Sequence, residues 1–380
     1  MSKNTKIILG IIIAVVIIGG ICWAARRKAA APVAEEGEVI KIGAILPLSG
    51  PVAMFGDWAR KGMEIALEDI NLEEVKIEVL FEDSKLDAKE GIIAYNKLVN
   101  IDNAGLIISA MSSVSVPLIP IVREDEKVLL LQDVTFPEIT KNNPLVFRHF
   151  IQSDREALIL AEYAIKTLDV NNVGILYVND EAGVGAKNAF KRIFEQNGGS
   201  VSIMEAFGGR DTDMKTQILK IKNKGVQSIY LFGNGPSWAQ ALKQIRELEF
   251  TGVILTNTSM FIENFRELAG SATESVYFTY PFADEGQQSF QIFADKYKKR
   301  YGTEPQLEAF YGYDLINVIK IALDKNNWEI KNLNKAILDI KEFFGVFGKT
   351  KIDKEGDFIT SIGIGIIENG ALKLIEIIPN

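Results

Sequence analysis

Small polar side chains gather at six places, each just past a run of apolar or β-branched residues. These are Ser49-Gly50, Ser112-Ser113, Asp133 with Thr135, Asn179-Asp180, Gly233-Asn234-Gly235 and Asn257-Thr258-Ser259. Hydroxyls, amides and bare backbone N–H groups are what a small polar ligand needs as partners. A helix start, as expected at Ser112-Ser113, also favours a carboxylate through its free N–H groups. Strand-to-helix loops use the same residues as turns and caps, so one such loop carries no message. Six of them, divided between two series of strands, point to a cleft.

Catalysis lacks its usual parts. His149 is the only histidine, and it sits in the apolar run Val146-Phe147-Arg148-His149-Phe150, away from the loop serines. A Ser-His-Asp triad would have to use it, and its setting reads as structural. Without a general base the polar loops read as binding rather than chemistry. Gly183-Val184-Gly185 follows a strand and opens a helix, but the third glycine of a dinucleotide fingerprint falls at Asn188. No GxxxxGK[ST] phosphate loop occurs. Carboxylate pairs such as Asp69 with Glu73 and Glu124 with Glu126 lie on helix faces and read as solvated charge. With a single cysteine, Cys22, neither an intrachain disulfide nor a cysteine-rich metal site is expected, and no cofactor.

These loops need a scaffold. Lys41–Leu46 reads as a strand, Leu48-Ser49-Gly50-Pro51 as a turn, and from Asp57 apolar residues recur at helical spacing to Ile70. Strands at Lys76–Phe81, Leu106–Ser109 and Val128–Leu131 alternate with helices at Asp87–Asn100 and about Ser115–Glu126. Phe147–Ile151 reads as a crossing strand. A second alternating series follows, with strands at Val173–Val178, Ser200–Ala206, Ser228–Phe232, Gly252–Leu255 and Ser275–Thr279. Strands alternating with helices imply parallel sheets, whose ligands lie beyond the carboxyl ends of the strands. Helices are expected at Gln287–Tyr301, Tyr311–Asp324 and Asn332–Ile340, and the chain closes in a hairpin turning at Asn369-Gly370, between Phe358–Glu368 and Leu372–Ile378.

The net charge is −8, and the first 28 residues carry five positive charges and no negative one, leaving −13 for the rest. Such an acidic body argues against nucleic acid as a partner. Ile7–Ala25 is a run of 19 uncharged residues, about 28 Å long as a helix and close to a bilayer core. It reads as a membrane anchor, with a cleaved signal peptide ending near Ala29-Ala30-Ala31 as the alternative. The positive-inside count, two basic residues before and three after, favours the opposite orientation, a rule that weakens for long exported domains. Ile21 before Cys22 argues against lipidation. Ala29–Val39 reads as a tether.

The stretch IGAILPLSGPVAMFGDWARKGMEIALEDIN resembles the opening strand, loop and helix of the branched-chain amino acid binding proteins of ABC importers. FEDSKLDAKEGIIAYNKLVN, SAMSSVS, EDEKVLLLQDVTFPEIT, FRHFIQSD and FGVFGKTKIDKEGD extend the likeness over Glu38 to Asn380. The resemblance implies an α/β fold of the type I periplasmic binding class, two doubly wound parallel-sheet lobes joined by three crossing strands and closing by hinge motion. It divides the chain into a membrane anchor or signal segment at 1–28, a linker at 29–38, one lobe from 39–152 and 282–342, and another from 153–281 and 343–380. It also implies an amino acid or similar small ligand, an ABC permease as partner and an extracytoplasmic place at the membrane. Carried over residue by residue, the ligand's carboxylate and ammonium would meet Ser112, Ser113, Asp133 and Thr135, with Ser49 and Phe55 at the rim. On the second lobe the matching positions are Ala182, Asn234 and Thr258. The pattern departs from the amino acid binders at these last three. Ala182 and Asn234 stand where aromatic residues are common, and Thr258 where an acid meets the ammonium. Asp133 stands where a small residue is usual and either supplies the missing negative charge or caps its loop. The ligand is thus left open among a leucine-like or other amino acid, an amide and a small organic acid. A sensory domain of the same fold and a serine hydrolase are the competing functions.

Overall fold

The computed structural model describes residues 39–70 and 77–380. The expected anchor, with Ile7–Ala25, and most of the linker lie outside them. Among the described residues no helix is long and apolar enough to cross a membrane.

Continuous aliphatic runs become strands buried on both faces, as parallel sheets require. The first series comprises β1 (Ile40–Leu46), α1 (Ala53–Ile70), β2 (Ile77–Asp83), α2 (Ala88–Asn100), β3 (Leu106–Ala110), α3 (Ser112–Ser115), α4 (Ile119–Glu124), β4 (Val128–Gln132) and β5 (Val146–Arg148). The second comprises α5 (Ser153–Lys166), β6 (Asn172–Val178), α6 (Glu181–Gln196), β7 (Ser200–Phe207), α7 (Lys215–Lys222), β8 (Ser228–Phe232), α8 (Gly235–Glu247), β9 (Val253–Thr256), α9 (Glu263–Ala269) and β10 (Val276–Pro281). Then come α10 (Gln288–Tyr301), α11 (Leu307–Lys325), α12 (Leu333–Leu338), β11 (Glu342–Gly345), β12 (Gly348–Ile352), β13 (Phe358–Ile359), β14 (Ile362–Glu368) and β15 (Ala371–Ile378).

The first sheet has the order β2-β1-β3-β4-β5, all parallel. The second runs β15-β14-β10-β9-β8-β6-β7. Its β6 to β10 repeat the order of the first sheet, a duplication that no sequence repeat announces. In both sheets the order reverses between the first and third strands of the series, which is where such sheets open a binding crevice. The expected parallel sheets and the expected terminal hairpin are both present. β14 and β15 add an antiparallel ribbon to the second, through the Asn369-Gly370 turn that the sequence indicates. Both turn residues have positive φ, 54° and 74°, as a tight hairpin demands.

Other expectations are revised. The helix read from Ser115 to Glu126 is broken into α3, a 3-10 turn at Val116–Leu118 and α4, because Pro117 and Pro120 lack the N–H that a continuous helix needs. The strand read as Phe147–Ile151 ends at Arg148 and forms the edge of the first sheet rather than crossing from it. β11, β12 and β13 form a small antiparallel sheet that the sequence reading overlooked, although alternate burial along β11 and β12 matches a period of two. Phe343, Ile352 and Phe358 of this sheet join the core packed under the first sheet.

Two contacts fix the frame. α1 and α11 approach until their backbones touch. A Cβ on Gly62 would lie 2.0 Å from the Ala309 carbonyl oxygen, and one on Gly312 would lie 2.3 Å from that of Ala59. The other contact is the Arg148–Asp357 pair, buried, with Nε 2.7 Å from Oδ1. Arg148 Nη1 donates to the Phe136 carbonyl at 2.5 Å and, at 3.4 Å, to that of Val134. Thr140 Oγ1 donates to Asp357 Oδ2 at 2.9 Å. One guanidinium thus ties the loop after β4 to the small sheet.

Arg148→Met should therefore cost about 3–5 kcal/mol of unfolding free energy, because it strands the Asp357 carboxylate. Gly62→Val should cost at least about 1–3 kcal/mol by overpacking. Urea denaturation of each variant measures both losses.

Candidate functional site

The strand-end loops begin with unusual backbones. Met111, between β3 and α3, has φ 72° and ψ 131°, a conformation that side chains other than glycine's seldom adopt. Its side chain packs against three hydrophobic clusters at once. Asp133, just past β4, has φ 52°, which Asp tolerates better than most. These two turns set the directions of the serine loop and of the Asp133 side chain.

The positions singled out in the sequence separate into groups. Ser49, Ser113 and Asn234 are exposed, and Ser112 is half-buried. The Ser49 N–H donates to Asp83 Oδ1 at 3.2 Å, which ties the loop after β1 to the end of β2. The Thr135 carbonyl accepts from the Ser153 N–H at 3.1 Å, joining the loop after β4 to α5. Ala182 is buried in the core of the second sheet. Phe55, at the start of α1, is buried in that same core and meets Phe265 of α9 edge-on, with ring centroids 5.8 Å apart. It forms a contact between the two halves.

Thr258 is buried against Glu156, and Asp133 is half-buried at the end of β4; both acids, with Glu308, act on Tyr311, and sequence reasoning missed Glu156, Glu308 and Tyr311. Glu156, in the first turn of α5, is fully buried. Its Oε1 accepts from the Thr258 N–H at 2.8 Å, from the Thr258 hydroxyl, and from Thr279 Oγ1 at 3.1 Å. An acid thus stands beside the position where the resemblance expects one, delivered from another helix. Glu308, in the first turn of α11, is 2% exposed. Tyr311, one turn on, is fully buried and feels the charges of Asp133, Glu308, Glu156 and Asp314. The acids are perturbed. Burial pushes Glu156 up to about 7, although the Thr258 and Thr279 donors pull the other way. Burial also pushes Asp133 up to about 7 against a 3.3 Å hydrogen bond from Gln132 Nε2. Glu308 is driven well above the carboxylate range by burial and by the charge of Asp133.

A single clue pointed to Glu308: it is the lone acid in Leu307-Glu308-Ala309-Phe310-Tyr311. Glu156 gave none, because an acid in the first turn of a helix is ordinary.

His149 is structural, as read. It is fully buried, its Nε2 lies 3.2 Å from Asp314 Oδ2, and the rings of Tyr311, Phe343, Phe347 and Phe358 surround it. Gly183 serves helix packing, since a Cβ there would lie 1.9 Å from the Val178 carbonyl oxygen. An open groove of about 700 Å³ runs between Phe136 and Pro137 on one side and Asn179, Asp180 and Arg192 on the other. Asp133, Glu156 and Glu308 do not line it. Among the described residues no cluster of His, Cys, Asp and Glu has the arrangement of a metal site.

Comparison with known proteins adds to this geometry. A family model described as periplasmic binding protein matches residues 39–369. A leucine-, isoleucine-, valine-, threonine- and alanine-binding protein of Pseudomonas aeruginosa is 25% identical over 326 residues, covering 84% of this chain and 87% of that protein. The crystal structure of a leucine-binding protein from Thermotoga maritima superposes with a TM-score of 0.83 at 26% identity, covering 90% of this chain and 99% of that one. A solute-binding protein of an ABC transporter from R. palustris, solved with 4-hydroxybenzoate, has a TM-score of 0.82 at 20% identity, covering 90% and 98%. This last likeness shows the fold alone.

The raised acids set a pH dependence. A carboxyl raised in the folded state holds its proton where the unfolded chain has lost it, so its contribution is full below the unfolded pKa. That contribution drains away as pH rises through about 7, the value for Asp133 and Glu156. The ligand-free protein should lose stability between about pH 5 and pH 8, and Glu156→Gln should flatten the slope. Urea midpoints across that range give the slope; an equal slope in the variant removes Glu156 as a source.

Proposed function

Because this chain belongs to the periplasmic binding protein family, we propose that it is the extracytoplasmic solute-binding component of an ABC importer. It captures an amino acid or a similar small polar solute between two lobes built on the two sheets. The observation that supports this reading is that Asp133, from the first sheet, and Glu156, hydrogen-bonded to Thr258 of the second, both act on the buried Tyr311. Groups from both halves acting on one polar site are what a two-jawed clamp requires.

In this mechanism the solute docks first on the loops after β3 and β4. The second lobe then swings in, bringing Thr258 with its bound Glu156 and seating Phe265 against Phe55. Closure removes water, so every donor and acceptor on the solute must find a partner, and selectivity follows from those that do not. The closed form is what the permease recognises. The shift to it is limited by the difference in the solute's affinity for the open and closed states. The uncharged run Ile7–Ala25 holds the protein at the membrane, its 19 residues matching the thickness of a bilayer core. The enclosed, aromatic-packed His149 supports capture rather than hydrolysis.

Thermal shift of the purified protein against amino acids, amides and organic acids should show one class raising the midpoint by several degrees at saturating concentration. Small-angle scattering should show compaction with the same solute. Phe55→Ala should weaken binding about tenfold or more, since it removes the aromatic contact across the cleft. Failure of every small polar solute to shift the midpoint sinks the reading.

A further inference from the structure

We propose that the solute is a small organic cation, an amine or guanidinium compound of net positive charge, held by Asp133, Glu156 and Glu308. This rests on the reading of the cleft as a solute site and goes beyond it by naming the charge of the occupant.

The inference starts from a count of partners. Among the described residues no Lys, Arg or His forms an ion pair with any of the three acids. Arg148 is committed to Asp357, and His149 to Asp314. Arg155, next to Glu156 in sequence, is half-buried, and burial lowers its pKa. Buried carboxylates are normally paired or fully hydrogen-bonded. Glu156 uses one oxygen on Thr258 and Thr279 and leaves Oε2 buried without a partner. Glu308 Oε2 is likewise buried and unpartnered.

A neutral acid could sit there as a hydrogen-bond donor, but it would then donate to a neighbour, and Glu308 Oε2 reaches none. Two further side chains beside the acids have open polar atoms. Gln132 is fully buried; its Nε2 donates to Asp133 Oδ2, and its Oε1 has no partner. Tyr311 Oη is buried, unpartnered and within the field of all three carboxyls. The open acceptors are Glu156 Oε2, Glu308 Oε2 and Gln132 Oε1, set against two open hydroxyls, Tyr311 Oη and Tyr230 Oη, the latter in the field of Glu156. A ligand rich in N–H donors satisfies these acceptors, and a carboxylate does not.

Charge separates the candidates further. A zwitterionic amino acid brings one ammonium and one carboxylate, so it adds no net charge to a region holding three acids. Lysine, ornithine, arginine or a diamine adds one or two positive charges. The attraction of each to a carboxylate grows inside a closed cleft, where the effective dielectric is low. Such a cation also restores the ionised state that burial alone opposes.

The test is calorimetric titration of the purified protein with lysine, ornithine, arginine and putrescine, set against leucine, glutamate and 4-hydroxybenzoate. At least one cation should bind at least a hundredfold more tightly than leucine. Glu308→Gln and Asp133→Asn should each weaken that cation at least tenfold while narrowing the gap to leucine, with circular dichroism confirming that both variants fold. Tight leucine binding with no binding of any cation overturns this inference and leaves solute capture standing. Cation binding that both folded variants retain in full overturns the assignment to these acids. If none of the seven solutes binds, the cation proposal is overturned and the capture reading loses its support with it.

Discussion

The buried pair of Arg148 with Asp357 is the interaction on which the arrangement rests. Arg148 closes the last strand of the first sheet, while Asp357 lies 209 residues later. Between them they fix three things that the sequence keeps far apart: the carbonyls of Val134 and Phe136, the Thr140 hydroxyl and the small sheet β11–β13. The loop so fastened starts at Asp133. A charge pair in the interior is a poor source of net stability compared with packed hydrocarbon. Here it serves direction, since a guanidinium can hold several carbonyls at once in a fixed plane.

The clamp reading and the charge reading depend on the same physical tension. Carboxyl groups taken out of water without counter-charge must either keep their protons or find cations. Glu156 and Glu308 are buried at the starts of α5 and α11, Asp133 is half-buried at the end of β4, and all three act on Tyr311. The cation inferred for this site relieves the tension by favouring the ionised state.

Much of the frame was legible locally. Lys41–Leu46 lies within β1, Asp87 caps α2 as the start of the expected helix, and Asn369-Gly370 turns the terminal hairpin. Each depends on residues within a few positions of one another. The polar loops were legible as a set, and one of their members, Thr258, is held by a buried acid. What escaped was its company. Glu156 meets Thr258 across 102 residues and Thr279 across 123, and no periodicity records such a meeting. Ser113 and Asn234 are exposed at the ends of their loops.

The touching backbones of α1 and α11 have a consequence for how such a protein can change. Phe55 opens one of these helices and Glu308 opens the other. With Gly62 against Ala309 and Gly312 against Ala59, neither helix can slide or roll past its partner. Phe55 and Glu308 therefore keep a fixed relation to each other, and any movement of one half against the other carries both together.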